Sequence, residues 1–157
     1  MIEVSEVNEV IEPQYVHTSP AHPGRQSKRV LIAGDDENSR RELAHLLSGV
    51  EGVIIRSVSA GQDTLSAARA MRPDAIVMDM RMPVTSRYRT MKAIRASRDG
   101  LSKTPIIALT DVCLSSEIER CIRAGASDYV ARPARELSTL RAKVEFWSTL
   151  GRDEFVG

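Results

Sequence analysis

Aromatic side chains are scarce in this sequence: two Phe, three Tyr and one Trp make up 4% of its 157 residues. Any packed interior must therefore be filled by aliphatic side chains. With 42% hydrophobic residues there are enough of them for one α/β domain of ordinary size. Cysteine is nearly absent as well. Cys113 and Cys121 stand without a Cys-x-x-Cys or Cys/His spacing, so neither a zinc motif nor a disulfide framework is expected, and both read as reduced thiols. Net charge is missing too: 22 basic against 21 acidic residues leave +1, unlike the strongly basic face of a DNA-binding domain. No apolar run approaches the roughly 18 residues of a membrane span. The N-terminus carries no charged segment followed by an apolar one. A cytoplasmic protein that binds neither DNA nor membrane is the expectation. The histidines, His17, His22 and His45, form no catalytic constellation, and no glycine-rich phosphate loop is visible.

What is present begins with a leader unlike the rest. Glu3, Glu6, Glu9 and Glu12 make it acidic, and no Lys or Arg precedes Arg25. Pro13, Pro20, Pro23 and Gly24 interrupt regular structure, so residues 1–27 read as a flexible acidic leader. A sharper reading has Val4, Val7 and Ile11 line a short amphipathic segment that folds on a partner.

From Lys28 to the end, residues 28–157, strand-like and helix-like runs alternate. Strands are expected at 29–34, 53–58, 75–79, 105–110 and 128–131, each rich in Val, Ile, Leu or Met. Between and after them lie helical patterns at 38–48, 62–71, 87–97, 115–123 and about 135–150. In the last of these, Leu137, Leu140, Val144 and Trp147 fall on one stripe. Gly49 and Gly125 close two of the helices. Such alternation implies parallel βαβ units with helices on both faces of one sheet.

In a sheet of that kind ligands bind beyond the carboxyl ends of the strands. Asp35 and Asp36 follow the first strand, Asp79 ends the third, Thr110 ends the fourth, and Arg132 follows the fifth with Tyr129 three residues before it. Convergent carboxylates repel one another unless a cation joins them, and a hard oxygen-seeking ion such as Mg²⁺ suits them.

These residues resemble the receiver domain of two-component response regulators, the CheY-like superfamily. The resemblance runs from about Arg29 to Leu150. It rests on Val-Leu-Ile-Ala-Gly-Asp-Asp-Glu (30–37), Pro-Asp-Ala-Ile-Val-Met-Asp-Met-Arg-Met-Pro (73–83), Thr-Pro-Ile-Ile-Ala-Leu-Thr (104–110) and Ala-Gly-Ala-Ser-Asp-Tyr-Val-Ala-Arg-Pro (124–133). It implies a three-layer, flavodoxin-like (βα)5 fold, a doubly wound parallel sheet of strand order 2-1-3-4-5. It also implies that Asp79 is the phosphoacceptor, that Asp36 and Asp79 bind Mg²⁺ directly with the backbone carbonyl of Arg81, and that Asp35 acts through a metal-bound water. Thr110 would bond the phosphoryl oxygens and Tyr129 would report the switch. The donor would be a histidine kinase or histidine phosphotransfer protein. The output would leave through the fourth helix, fifth strand and fifth helix to a protein partner, with room for a weak homodimer.

Three positions depart from the family pattern. Arg132 stands where the family has lysine, a swap that keeps charge but changes shape. The loop after Pro83 reads Val84-Thr85-Ser86-Arg87 without the usual aspartate-glycine pair. Asp111 follows Thr110 where a small residue is preferred, either repelling an incoming donor or pointing to solvent. Arg132 and the altered loop after Pro83 motivate an alternative, a pseudo-receiver that docks proteins or binds a ligand without phosphorylation, with Arg132 paired permanently to Asp79. Arg81, Arg87, Arg89, Arg95 and Arg98 form a basic cluster that reads either as a solvated helix face or as a nucleotide or anion site. With no output domain expected after Leu150, the chain is read as a phosphoacceptor and not as an enzyme acting on another substrate.

Overall fold

The structure, a computed structural model, describes residues 16–18, 27–59, 62–81, 83–111, 114–131 and 137–156. Its strands are β1 (Val16–Thr18), β2 (Lys28–Ala33), β3 (Val53–Val58), β4 (Ala75–Asp79), β5 (Ile106–Thr110) and β6 (Asp128–Ala131). Its α-helices are α1 (Glu37–Leu47), α2 (Gln62–Met71), α3 (Val84–Arg95), α4 (Ser115–Ala124) and α5 (Leu137–Val156). The sheet order is β1-β3-β2-β4-β5-β6. From β3 to β6 every pairing is parallel, so the expected order 2-1-3-4-5 is present as β3-β2-β4-β5-β6.

The period of two along each strand sorts the core into two layers. Leu31, Ala33, Ile76, Met78, Ile106 and Ala108 face α2, α3 and α4, where Ala68, Met91, Ile94 and Cys121 receive them. Val30, Ile32, Val77, Ile107 and Leu109 face the other way, against Leu43, Ala44 and Leu47 of α1 and Leu140 and Val144 of α5. Strands β4 and β5 are buried along their whole length, which is why they read as unbroken apolar runs. The aliphatic interior expected from the shortage of aromatics is the one observed.

Where structure and sequence pattern differ, the cause is local. Val16–Thr18 of the leader pair antiparallel with β3 as a sixth strand, Val16 opposite Arg56 and Thr18 opposite Ile54. Three residues are too short a run for periodicity to mark; the rest of the leader before Ser27 lies outside the described residues. Helix α3 starts at Val84, three residues before the expected Arg87, with Pro83 at its N-cap and no side-chain cap to announce it. A 3₁₀ turn at Leu101–Lys103 lies outside the expected elements, and α5 runs on to Val156, past the expected end at Leu150.

One tie secures α5 to the amino edge of the sheet. The indole N–H of Trp147 donates to Asp128 at 3.0 Å, and Lys143 Nζ bonds the other oxygen of that carboxylate at 2.9 Å. Burial pushes the Asp128 carboxyl up, but these two donors and the Tyr129 peptide N–H outweigh it and hold the group below the usual carboxylate range. A depressed folded pKa stabilises above the unfolded value of about 3.9, and the contribution is lost as pH falls through the folded value. Trp147→Phe should therefore cost about 1 kcal/mol at neutral pH in urea unfolding. The difference from the parent should shrink at about pH 3, and an equal cost at both pH values would contradict the tie.

Candidate functional site

The carboxyl ends of β2, β4 and β5 lie side by side, Ala33 opposite Met78 and Asp79 opposite Leu109. Asp79 is the last residue of β4 and is 2% exposed, although it is a carboxylate. A buried charge demands compensation, and the local structure provides it. Oδ1 accepts the backbone N–H of Arg81 at 3.0 Å and its Nε at 3.3 Å. Oδ2 accepts Arg81 Nη2 at 3.1 Å and the Ser39 hydroxyl at 3.2 Å. The guanidinium thus grips both oxygens in the fork geometry that suits arginine.

Gly34 is needed for this packing. A Cβ there would sit 3.0 Å from the Asp79 Cβ, so β2 can approach β4 only because the side chain is missing. Gly34→Ala should displace the Asp79 carboxylate and cost about 1–3 kcal/mol as overpacking. Thermal melts of the variant check this, and an unchanged Tm would contradict the close fit.

Asp36 does double duty. It is the N-cap of α1, and its Oδ2 accepts the Ser39 N–H at 3.0 Å. Ser39 therefore bridges two carboxylates, its peptide N–H on Asp36 and its hydroxyl on Asp79. Asp35 is exposed in the bend before α1. Asp111, exposed after β5, completes the acidic surroundings: the Arg81 guanidinium is raised by its bond to Asp79, opposed by burial, and raised further by the charges of Asp79, Asp111 and Asp36. Thr110 ends β5 and is buried. Tyr129 lies on β6, half-buried against the α2–α4 layer. Lys143 Nζ lies 5.2 Å from its ring. With Ser115, Ile118, Glu119, Ile122 and Arg123 it lines a shallow cavity of about 540 Å³ on α4. Arg132 and Met82 lie outside the described residues.

Among the described residues no three carboxylate, imidazole or thiol groups stand close enough to hold a metal ion by themselves. The tight three-carboxylate cluster expected from the sequence is thus looser, because Asp36 turns to cap α1 and Asp79 turns to Ser39 and Arg81. The donor set still fits a hard cation. Two carboxylates sit on either side of one serine, magnesium needs only one or two directly, and the pocket already stabilises a positive group.

The basic cluster resolves into internal contacts. Arg81 is on Asp79. Arg87 donates to the Met80 carbonyl and, at 3.3 Å, to Glu117. Arg95 donates to the carbonyls of Gly125, Ser102 and Thr104. These three commitments do not favour the anion or nucleotide reading of the cluster, whose other two members, Arg89 and Arg98, are exposed. Tyr88 joins Arg87 on Glu117 through its hydroxyl, and burial and that bond push its pKa up to about 12. The segment after Asp79 is tied in this way to α4. Cys121 is buried and its thiol is pushed up by burial, consistent with an inert, reduced residue; Cys113 lies outside the described residues.

Sequence reasoning missed Ser39, Gly34 and the Arg81 side chain. The Asp36-x-x-Ser39 spacing ahead of a helical pattern is an N-cap signal that marks the first. Nothing in a one-dimensional pattern marks the rotamer of Arg81.

Comparison with known proteins agrees with this geometry. Residues 30–145 match the family model described as the response regulator receiver domain. A protein-glutamate methylesterase/protein-glutamine glutaminase of Anaeromyxobacter dehalogenans is 32% identical over 112 residues, which are 71% of this chain and 31% of that protein. The chain thus spans about a third of the length of that curated relative. The receiver domain of a Pseudomonas aeruginosa sensor histidine kinase, solved with a magnesium ion in its active-site cleft, superposes with a TM-score of 0.69 at 30% identity, covering 78% of this chain and 98% of that one. A putative response regulator from Chloroflexus aurantiacus gives a TM-score of 0.70 at 29% identity, covering 79% and 99%.

Proposed function

The chain belongs to the response regulator receiver family, and from that premise we propose that Asp79 accepts a phosphoryl group from the phosphohistidine of a histidine kinase or histidine phosphotransfer protein. The observation that carries this reading is a buried carboxylate at the carboxyl end of a central strand, 2% exposed yet held by donors on both oxygens. An Asp79 oxygen attacks phosphorus, the phosphorus–nitrogen bond breaks, and its electron pair returns to the donor imidazole. Asp36, Asp79 and the carbonyl of Arg81 would hold Mg²⁺, with Asp35 acting through a bound water. When bound, the ion supplies positive charge against the transferring oxygens.

The remaining roles follow from position. Thr110, buried at the end of β5, donates its hydroxyl to a phosphoryl oxygen, and Arg132 adds a cation in place of the family lysine. Tyr129, on the α4 cavity, moves with the phosphorylated state and alters affinity for a protein partner on the α4–β6–α5 face. A weak homodimer through the same face is compatible with this reading, and neither DNA nor membrane contact is part of it. We read residues 28–157 as the receiver unit, residues 1–27 as its leader, the site of action as the cytoplasm, and the only catalysis as that of its own phosphorylation and dephosphorylation. Among the described residues no helix is long and apolar enough to cross a membrane.

The test is incubation with Mg²⁺ and phosphoramidate, read by intact mass. An acid-stable, base-labile phosphoprotein that needs Mg²⁺ is the expected product. No modification by this donor or by a phosphorylated phosphotransfer protein would overturn the reading. Trp147 is a poor reporter, because its indole is bonded to Asp128 at the opposite edge of the sheet.

A further inference from the structure

The acidic pocket already has a cation in it. The Arg81 guanidinium bonds both oxygens of Asp79, and the charges of Asp36 and Asp111 attract it as they would attract a metal ion. We propose that the Arg81 side chain is a built-in counter-ion of the pocket, pairing with Asp79 in the metal-free state and competing with a divalent cation for it. The proposal rests on the reading of the pocket as a Mg²⁺ site.

Geometry makes the two cations exclusive. Arg81 Nη2 lies 3.1 Å from Asp79 Oδ2. A magnesium ion on that same oxygen, at its usual distance of about 2.1 Å, brings like charges within about 5 Å of each other. That is well inside the screening length of about 8 Å at physiological salt. A directly bound ion also takes a lone pair that one of the arginine N–H groups now uses.

The side chain is built to leave. It is 41% exposed, so moving outward removes little packing. The backbone N–H of Arg81 remains on Oδ1 and the Ser39 hydroxyl on Oδ2, so Asp79 keeps its place when the guanidinium goes. An ammonium carries the same charge without the fork, so lysine should compete less well.

Calorimetric titration of the whole chain with MgCl₂ alone tests this in the parent, Arg81→Ala, Arg81→Lys and Arg98→Ala, the last removing an exposed charge outside the pocket. Arg81→Ala should bind about tenfold more tightly than the parent, with Arg81→Lys between them and Arg98→Ala within about twofold of the parent. On the unmodified chain, the Arg81 Nε–H signal in ¹⁵N spectra should be protected from exchange without metal and lose that protection on saturation. That readout needs no variant to fold. Parent-like or weaker binding by Arg81→Ala, or an Nε–H signal unmoved by saturating Mg²⁺, overturns the counter-ion role and leaves the metal site standing. Absence of binding in both the parent and Arg81→Ala overturns the metal site and the counter-ion role together.

Discussion

Asp79→Asn is expected to reduce phosphoprotein formation at least about a thousandfold while leaving a folded domain. The loss is chemical. A carboxylate oxygen is the nucleophile, and an amide oxygen of the same size is far weaker. The surroundings reinforce it, because described residues donate to both oxygens of this side chain: the Arg81 N–H groups to Oδ1, and Arg81 Nη2 with the Ser39 hydroxyl to Oδ2. An asparagine can turn its oxygen to only one of those sets. Its NH₂ then faces an Arg81 N–H, donor against donor. Asp35 and Asp36, the neighbouring carboxylates, are exposed and lack this cradle. Intact-mass measurement after phosphoramidate and Mg²⁺ gives the yield, and a cooperative melt verifies the fold. If Asp79→Asn were phosphorylated as fully as the parent, the acceptor would lie elsewhere.

The parts of the molecule that periodicity governs were legible in the sequence. Strands β3, β4 and β6 and helix α2 fall on the expected residues; for β4 the reason is an unbroken apolar run buried on a sheet covered on two sides, and for α2 a 3.6-residue stripe. The position of Asp79 followed from the end of such a run. What stayed hidden depends on direction instead of spacing. The start of α3 has no capping side chain, so Val84-Thr85-Ser86 reads as loop. The inward turn of Arg87 and Arg95 to backbone carbonyls cannot be told from solvation when only charge is counted. The same holds at the site: the +2 spacing of Arg81 places its carbonyl near a metal position, but its long side chain reaches back over the strand end to the carboxylate. The alternative reading has a permanent ion pair on Asp79 from Arg132, which lies outside the described residues; the pair that the described residues show is that of Arg81.

Arg95→Ala is expected to be the most destabilising of these changes, and to do so without touching the chemistry. Arg95 is half-buried, its charge disfavoured by that burial. Its Nε donates to Gly125 O at 2.9 Å, its Nη1 to Ser102 O and Thr104 O at 2.9 and 2.7 Å, and its Nη2 to Ser127 Oγ at 3.2 Å. One guanidinium so joins the end of α3 to the turns that feed β5 and β6 at their amino ends. Gly125, at φ 131°, allows the approach: a Cβ there would meet Arg95 Cγ at 2.8 Å. Each bond contributes about 1 kcal/mol net, and water recovers part of that when the side chain is cut back, leaving a loss of about 2–3 kcal/mol. For a chain of this length that lowers Tm by roughly 5–10 °C. Arg95→Lys should recover less than half, because a single ammonium cannot serve acceptors on separate segments. Urea unfolding gives the loss directly. Phosphorylation of Arg95→Ala at 25 °C should stay within about twofold of the parent, since Asp79 lies at the opposite, carboxyl edge of the sheet and keeps all its own donors. A large loss of phosphorylation in a variant still folded at that temperature would mean that the two edges are coupled through α3, whose first turn holds the Met80 carbonyl through Arg87 and whose last turn carries Arg95.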